Sequence, residues 1–483
     1  MEHLNPVDAA FLDIEDGDRQ ASLAIGSVAV IAGPPPAQRD FVAAVGARAR
    51  LIPRARQKVV RSPLNVGRPV WVDDPGHDPA EHIRRTSVDR DDPTALPALI
   101  SRIMSRRLDR DRPLWEIWVI DGLPGDRWAV LTKIHHCLAD GVSGAQLQAA
   151  IFGSAPWSGP AAGDPELAPG PGRSLVGAIT DMATGSAVLV RRLAGALRSP
   201  EQLPRRLALS LRGVAAFGAV LRPVGSSSLS GPIGRQRRYG VAHAALPDLV
   251  EIGRVFGATV NDVLLAISGA FRELLLCRGE RPDANTVRTL VPVSVRAAGD
   301  EGVPDNRISL VLPFLPVDMA DPVEVLAEVH RRLAAAKASG MAEIGETVAA
   351  LAAGQPFAPV SLAVRLFARL PQHSIVTVTT NVPGPGEPMS VLGREVLELL
   401  PYVPIAVRLR IGVAALSYCD QVAIGVTGDH DTVPEIALFA GAVERGVTDL
   451  LAAARSITPI NGRRGHPARP FQPNGATHAR QPR

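Results

Sequence analysis

The chain has 483 residues, 46% hydrophobic and 21% charged, a balance that excludes a disordered protein. Its 52 basic and 48 acidic side chains leave a net charge of +4, and only Lys58, Lys133 and Lys337 of the basic set are lysines. Cys137, Cys277 and Cys419 are far apart and odd in number, which gives neither a disulfide framework nor a Cys-pair zinc site. The opening residues, Met1 to Ala10, carry Glu2 and Asp8 and have no apolar core of signal-peptide length. No run reaches the ~18 uninterrupted apolar residues of a membrane span. A reducing, cytosolic setting is the expectation.

Four zones follow along the chain. The first, residues 1–157, opens with a helix from Pro6 to Leu12 and an apolar strand from Leu23 to Ile31, closed by Gly33-Pro-Pro-Pro36. Helical periods return at Phe41–Leu51 and Leu96–Leu108. A strand and turn lie around Arg68–Pro75. Two strands, Leu114–Asp121 and Trp128–His136, flank the loop Gly122-Leu-Pro-Gly-Asp126 with hairpin chemistry, and a helix is expected over Val142–Phe152.

The second zone, residues 158–240, begins rich in Gly and Pro and continues as two apolar helical pieces. Between Leu175 and Gly240 it carries ten arginines against Asp181 and Glu201. Leu203, Leu207, Leu211, Val214 and Leu221 share one helical side, with Arg205 and Arg212 opposite. Such a face can lie in a bilayer interface. It can equally pack on the protein as an inter-domain connector with its arginines in water.

The third zone, residues 241–455, repeats the α/β mixture. Helices are expected at Leu246–Phe256, Val260–Cys277, Val323–Ala336, Val360–Arg369 and Ile436–Ala453. Strands are expected at Thr286–Val295, Ile308–Val317, Ile375–Thr380, Ile411–Tyr418 and Gln421–Thr427, the last two joined at Cys419-Asp420. Residues 456–483 hold five arginines and no acid and read as a disordered tail. Connector and tail thus account for more than the whole positive charge and the remaining body is acidic, so the net charge does not point to nucleic acid. No nucleic-acid reading module is recognisable either.

The segment that carries chemistry is Lys133-Ile-His135-His136-Cys-Leu-Ala-Asp140-Gly141-Val-Ser-Gly144. Both histidines end an apolar strand, where alternation sends adjacent side chains to opposite faces and argues against a shared metal ion. A histidine at such a strand end is neutral and proton-accepting near neutral pH, since its ordinary pKa is about 6.5. Gly141 and Gly144 let the chain turn sharply behind it. The spacing around Ser143 is not that of a Gly-x-Ser-x-Gly nucleophile elbow.

His135-His136-Cys-Leu-Ala-Asp140-Gly141 resembles the active-site motif of the CoA-dependent acyltransferase superfamily, which includes chloramphenicol acetyltransferase, carnitine acyltransferases and peptide-synthetase condensation domains. Further segments narrow the resemblance to the bacterial wax ester synthase/diacylglycerol acyltransferase family, of the actinobacterial triacylglycerol synthase type. They are Leu4-Asn-Pro-Val-Asp-Ala-Ala-Phe-Leu, Arg112-Pro-Leu-Trp-Glu, Thr259-Val-Asn261-Asp262, Pro292-Val-Ser-Val-Arg296, Asn381-Val-Pro-Gly-Pro385 and Ala415-Leu-Ser-Tyr-Cys-Asp, in the expected order over residues 4–450. The sequence departs from the family at Cys137, where a small apolar residue is common, and at Asp305, which replaces a glycine.

The resemblance implies an α/β fold of two chloramphenicol acetyltransferase-like domains with mixed sheets and an active-site tunnel between them. It implies that His136 removes the proton of an acceptor hydroxyl, diacylglycerol first and fatty alcohol second, which then attacks long-chain acyl-CoA. His135 would be structural, and Asp140 would anchor the loop through Arg296. Acyl-CoA is then a co-substrate, with no further cofactor and no metal. Asn261 and Asp262 sit where a helix begins and read first as helix caps, also compatible with shaping the tunnel. Thr379, Thr380 or Asn381 could donate to a tetrahedral oxyanion, or the segment could be a plain strand-ending turn. The basic connector fits peripheral attachment to the inner membrane face or to lipid droplets. It also motivates the alternative of a lipid-surface protein with weak or lost catalysis.

Overall fold

The computed structural model describes residues 2–62, 67–138, 224–225, 227–266, 268–294, 308–338, 357, 361–362, 364–366 and 373–457. The expected helix at 142–152 and most of the connector and tail lie outside these residues. The first half supplies α1 (Pro6–Gly17), β1 (Ala24–Ala32), α2 (Gln38–Ala49), α3 (Pro53–Arg56), β2 (Gln57–Val60), β3 (Val70–Asp73), α4 (Pro79–His82), β4 (Ile83–Ser87), α5 (Ala95–Met104), β5 (Trp115–Leu123) and β6 (Arg127–His135). The second supplies β7 (Arg237–Ala245), α6 (Leu246–Phe256), α7 (Val260–Leu265), α8 (Ser268–Cys277), β8 (Thr289–Ser294), β9 (Ile308–Val311), α9 (Pro322–Ala338), β10 (Thr377–Val382), β11 (Ser390–Val391), β12 (Arg394–Tyr402), β13 (Ile411–Tyr418), β14 (Gln421–Asp429) and α10 (Ile436–Ile457).

Two six-stranded mixed sheets form the body, in the orders β11-β12-β1-β6-β5-β4 and β7-β14-β13-β10-β8-β9. Local chemistry sets the element ends. Asn5 caps α1 by accepting the Asp8 amide at 2.8 Å, with Pro6 in the first turn. Gly257, at φ 66°, ends α6 in the left-handed conformation that a side chain would resist. Cys419 at φ 50° and Asp420 make the two-residue turn between β13 and β14. The single helix expected over Val260–Cys277 is two, α7 and α8, separated at Ala266.

The strand that the sequence pattern hides is β12. It comes from the second half yet pairs antiparallel with β1, from Gly26 opposite Tyr402 to Val30 opposite Glu398. The register then slips to Ile31 opposite Val396, leaving Leu397 as a bulge. That extra residue, with Glu395, Glu398 and Pro401, breaks the alternation by which a strand is recognised. Residues 394–402 therefore belong to the first sheet, although they follow residue 241. The expected boundary at 240/241 itself falls inside β7, because Arg237 at its start is a buried strand residue that donates to the carbonyls of Gln20 and Gly234.

Each sheet has its own apolar core, and the two cores meet at β12. Tyr239, Tyr418 and Ala423 of the second sheet lie within the first core beside Tyr402. The Tyr239 hydroxyl donates to the Pro401 carbonyl at 2.7 Å. A Cβ on Gly425 would sit 2.0 Å from that same carbonyl oxygen, so β14 can pass β12 this closely only with glycine there. Gly425→Ala is expected to cost about 1–3 kcal/mol, the usual range for overpacking a tight contact, read as a lower denaturant midpoint. Gly386→Ala, with open space around it, is expected to leave the midpoint unchanged.

Candidate active site

The two histidines end β6 in different ways. His135 is the last strand residue, opposite Ala24 of β1, with its amide donating to the Leu114 carbonyl at 2.9 Å. Its ring is fully buried, accepts the Cys137 amide at Nδ1 (3.1 Å) and lies with Nε2 3.5 Å from Glu15 Oε2. His136 is the first residue of a 3₁₀ turn, His136–Leu138. Its amide donates to the Leu23 carbonyl at 2.9 Å, and its ring stacks on Phe11 with centroids 3.8 Å apart and planes 19° apart. Both rings meet α1, at Phe11 and Glu15, one helical turn apart.

Burial holds the half-buried His136 imidazole at about 4, with the neighbouring His135 adding to the shift and its own backbone carbonyl opposing it. Burial also lowers His135, against the pull of Glu15. Glu15 itself is held at about 2; burial works against its charge, but His135 and Arg110 and the Leu23 amide outweigh it. Burial pushes the Cys137 thiol up, so it stays protonated beside the histidines and is no nucleophile.

The second half gathers a separate group. Asn261 on α7 and Thr379, Thr380 and Asn381 at the end of β10 line a small, mostly apolar crevice closed by Leu264, Val413 and Ile424. Thr379 is pinned by the Thr289 hydroxyl at 2.9 Å. The N-cap of α7 is Thr259, and of the expected pair Asp262 takes part in the cap. Thr259 Oγ1 accepts the Asp262 amide at 3.2 Å and Asp262 Oδ2 accepts the Thr259 amide at 2.8 Å, a reciprocal capping box. Asp262 also meets His330 Nδ1 at 2.9 Å and does not line the crevice. Asn261 is thereby left to face it. His136 makes its ring contact and its backbone hydrogen bond within residues 2–138. Asp140, Gly141 and Arg296 lie outside the described residues.

Sequence reasoning missed Phe11, Glu15 and Arg110. The Leu4–Leu12 segment had signalled a family likeness, but a helical acid four residues past a phenylalanine carries no signature of burial. Glu116, unexplained in sequence, accepts the Trp118 indole N–H at 3.0 Å. Among the described residues, no group of three or more His, Cys, Asp or Glu could hold a metal ion, and no helix is long and apolar enough to cross a membrane.

The wax ester synthase/diacylglycerol acyltransferase catalytic domain matches residues 4–264, and the C-terminal domain of the same family matches residues 305–450. A probable diacylglycerol O-acyltransferase of Mycobacterium tuberculosis is 41% identical over 476 residues, covering 96% of this chain and 99% of that protein. A putative diacylglycerol O-acyltransferase of the same organism is 33% identical over 462 residues, covering 94% and 91%. In fold, the chain is similar to the wax ester synthase/diacylglycerol acyltransferase from Marinobacter aquaeolei, with TM-score 0.65, 24% identity and coverage of 94% and 100%. It is also similar to the first condensation domain of the calcium-dependent antibiotic synthetase, with TM-score 0.54, 15% identity and coverage of 94% and 96%.

The stack on Phe11 makes a titration prediction. Phe11→Ala opens one imidazole face to water, so the His136 pKa should rise from about 4 toward its ordinary 6.5, read by NMR titration. Folded His136 resists a proton that the unfolded chain accepts. Stability is therefore undiminished by this group above pH 6.5 and falls as pH drops from 6.5 toward 4, a loss that should shrink in Phe11→Ala.

Proposed function

The chain belongs to the wax ester synthase/diacylglycerol acyltransferase family, and on that premise we propose that it moves a long-chain acyl group from acyl-CoA to the free hydroxyl of diacylglycerol, releasing triacylglycerol and CoA. Fatty alcohol is the second acceptor, giving a wax ester. The observation that carries this reading is the state of His136: half-buried, neutral near pH 7, clamped at its amide and stacked on Phe11.

We assign the ring proton of His136 to Nδ1 and the lone pair to Nε2. Nε2 takes the acceptor's hydroxyl proton as the oxygen bonds to the thioester carbonyl carbon. The tetrahedral intermediate collapses by breaking the C–S bond, and the imidazolium returns its proton to the departing thiolate. No acyl-enzyme is needed, because binding both substrates together supplies proximity. Thr380 and Asn381, or Asn261 across the crevice, are the donors we assign to the oxyanion side. Asp140 and Arg296 are assigned to holding the turn behind His136, and Gly141 to making it. Acyl-CoA enters as co-substrate, and the reaction so written draws on no other cofactor. The basic connector supports residence at an anionic lipid surface, membrane or droplet, where the acceptor dissolves.

The test is purified protein with labelled palmitoyl-CoA and diacylglycerol. Triacylglycerol should form, and His136→Ala should lower kcat by about 10²-fold or more, the usual contribution of a general base. Retention of activity by His136→Ala would remove the mechanism. Tight vesicle binding without turnover across a panel of alcohols would favour the lipid-surface reading instead. The acid limb of kcat/KM should lie below pH 6, since His136 stays neutral well under its ordinary pKa.

A further inference from the structure

The C-terminal turn of α1 buries a carboxylate for which the reaction has no direct use. Glu15 is 1% exposed. Its Oε1 accepts the Leu23 amide at 2.9 Å, and its Oε2 is bound by Arg110 and faces His135 Nε2 at 3.5 Å. The Cys137 amide donates to His135 Nδ1, so that nitrogen holds the lone pair and the ring proton sits on Nε2, toward Glu15. The carbonyl of Leu23, in the following peptide unit, accepts the amide of His136. Glu15 therefore stands at both supports of His136: it is the acceptor that faces the buried His135 Nε2, which has no hydrogen-bond partner among the described residues, and it holds the amide of Leu23, whose carbonyl receives the His136 backbone. A plain buried ion pair with Arg110 would need neither of these contacts.

We propose that Glu15 is a positioning residue for acyl transfer, fixing the Nε2–H form of His135 and the backbone at Leu23 and, through them, the orientation of His136. The inference rests on the reading of His136 as the base. It is the carboxylate's acceptor character that matters, because every group facing Glu15 is a donor: the Leu23 amide, the Arg110 guanidinium and His135 Nε2–H.

Glu15→Gln keeps size and can still accept from Leu23. It then turns an NH₂ group toward His135 Nε2–H and Arg110, donor against donor. Relief by moving the ring proton to Nδ1 would set it against the Cys137 amide. With palmitoyl-CoA and diacylglycerol, kcat should fall about tenfold or more, as for other residues that orient a functional histidine, while KM for palmitoyl-CoA stays near the unaltered value. In a His135→Ala background the same substitution should cost little further, because its route to His136 is gone. In the unaltered protein, ¹⁵N-histidine NMR, with His135 assigned by its absence from His135→Ala, should show Nε2 protonated and Nδ1 accepting.

Normal kcat in Glu15→Gln, losses that multiply in full with His135→Ala, or an Nδ1–H form of His135 would each overturn the proposal. The NMR measurement needs no variant of Glu15 and so decides even if Glu15→Gln does not fold. If the unaltered protein makes no triacylglycerol, the acyl-transfer reading falls by itself, and the proposal falls with it. Turnover in the unaltered protein with an indifferent Glu15→Gln removes only the role of Glu15.

Discussion

The antiparallel pairing of β12 with β1 is the contact on which the rest of the molecule is built. β1 is buried on both sides, and its backbone groups need partners on both edges. β6 satisfies one edge and β12 the other. The strand that ends in the two histidines is thus one strand removed from a segment of the second half. The same β12 carries Pro401, whose carbonyl receives Tyr239 and which β14 approaches at Gly425. One strand completes the first sheet and seats the second against it.

α1 is the other shared element. Asp13, Glu15 and Asp16 would be costly to bury or crowd without partners, and each has them. Asp13 is 1% exposed and accepts from Arg61 at 2.9 Å, Ser361 at 2.6 Å and Arg365 at 3.0 Å. Asp16 meets Arg61 and Arg110. Ser361 and Arg365 come from the second half, so the helix that touches both histidines is also held from across the molecule. The arginines that dominate the basic composition serve here as planar donors to buried carboxylates, a task suited to the guanidinium fork.

Much of this was legible in the residues. The strand ending at the histidines, the hairpin at Cys419-Asp420, the alternating sheets and the Thr-Asn end of β10 follow from periodicity and turn chemistry. The family likeness was carried by spaced motifs. What stayed hidden has a common physical cause. β12 conceals its pattern behind a bulge and a proline, and Glu15 looks like any surface acid until Arg110, Leu23 and His135 arrive from elsewhere in the chain. Thr259 takes the N-cap position of α7 with Asp262 as its capping-box partner, because the position is decided by which residue turns extended, and Thr259, Asn261 and Asp262 are all suited to it. Long-range partners decide β12 and Glu15, and a local pattern does not carry them.

The crossing of β12 also sets an order on how the molecule can assemble. β1 is made early and its partner β12 only when most of the chain has left the ribosome. Until then the first sheet has an apolar strand at an open edge, a surface that invites pairing with another chain. The histidine strand belongs to that unfinished sheet. In the order of synthesis the first half therefore precedes the strand that completes its sheet.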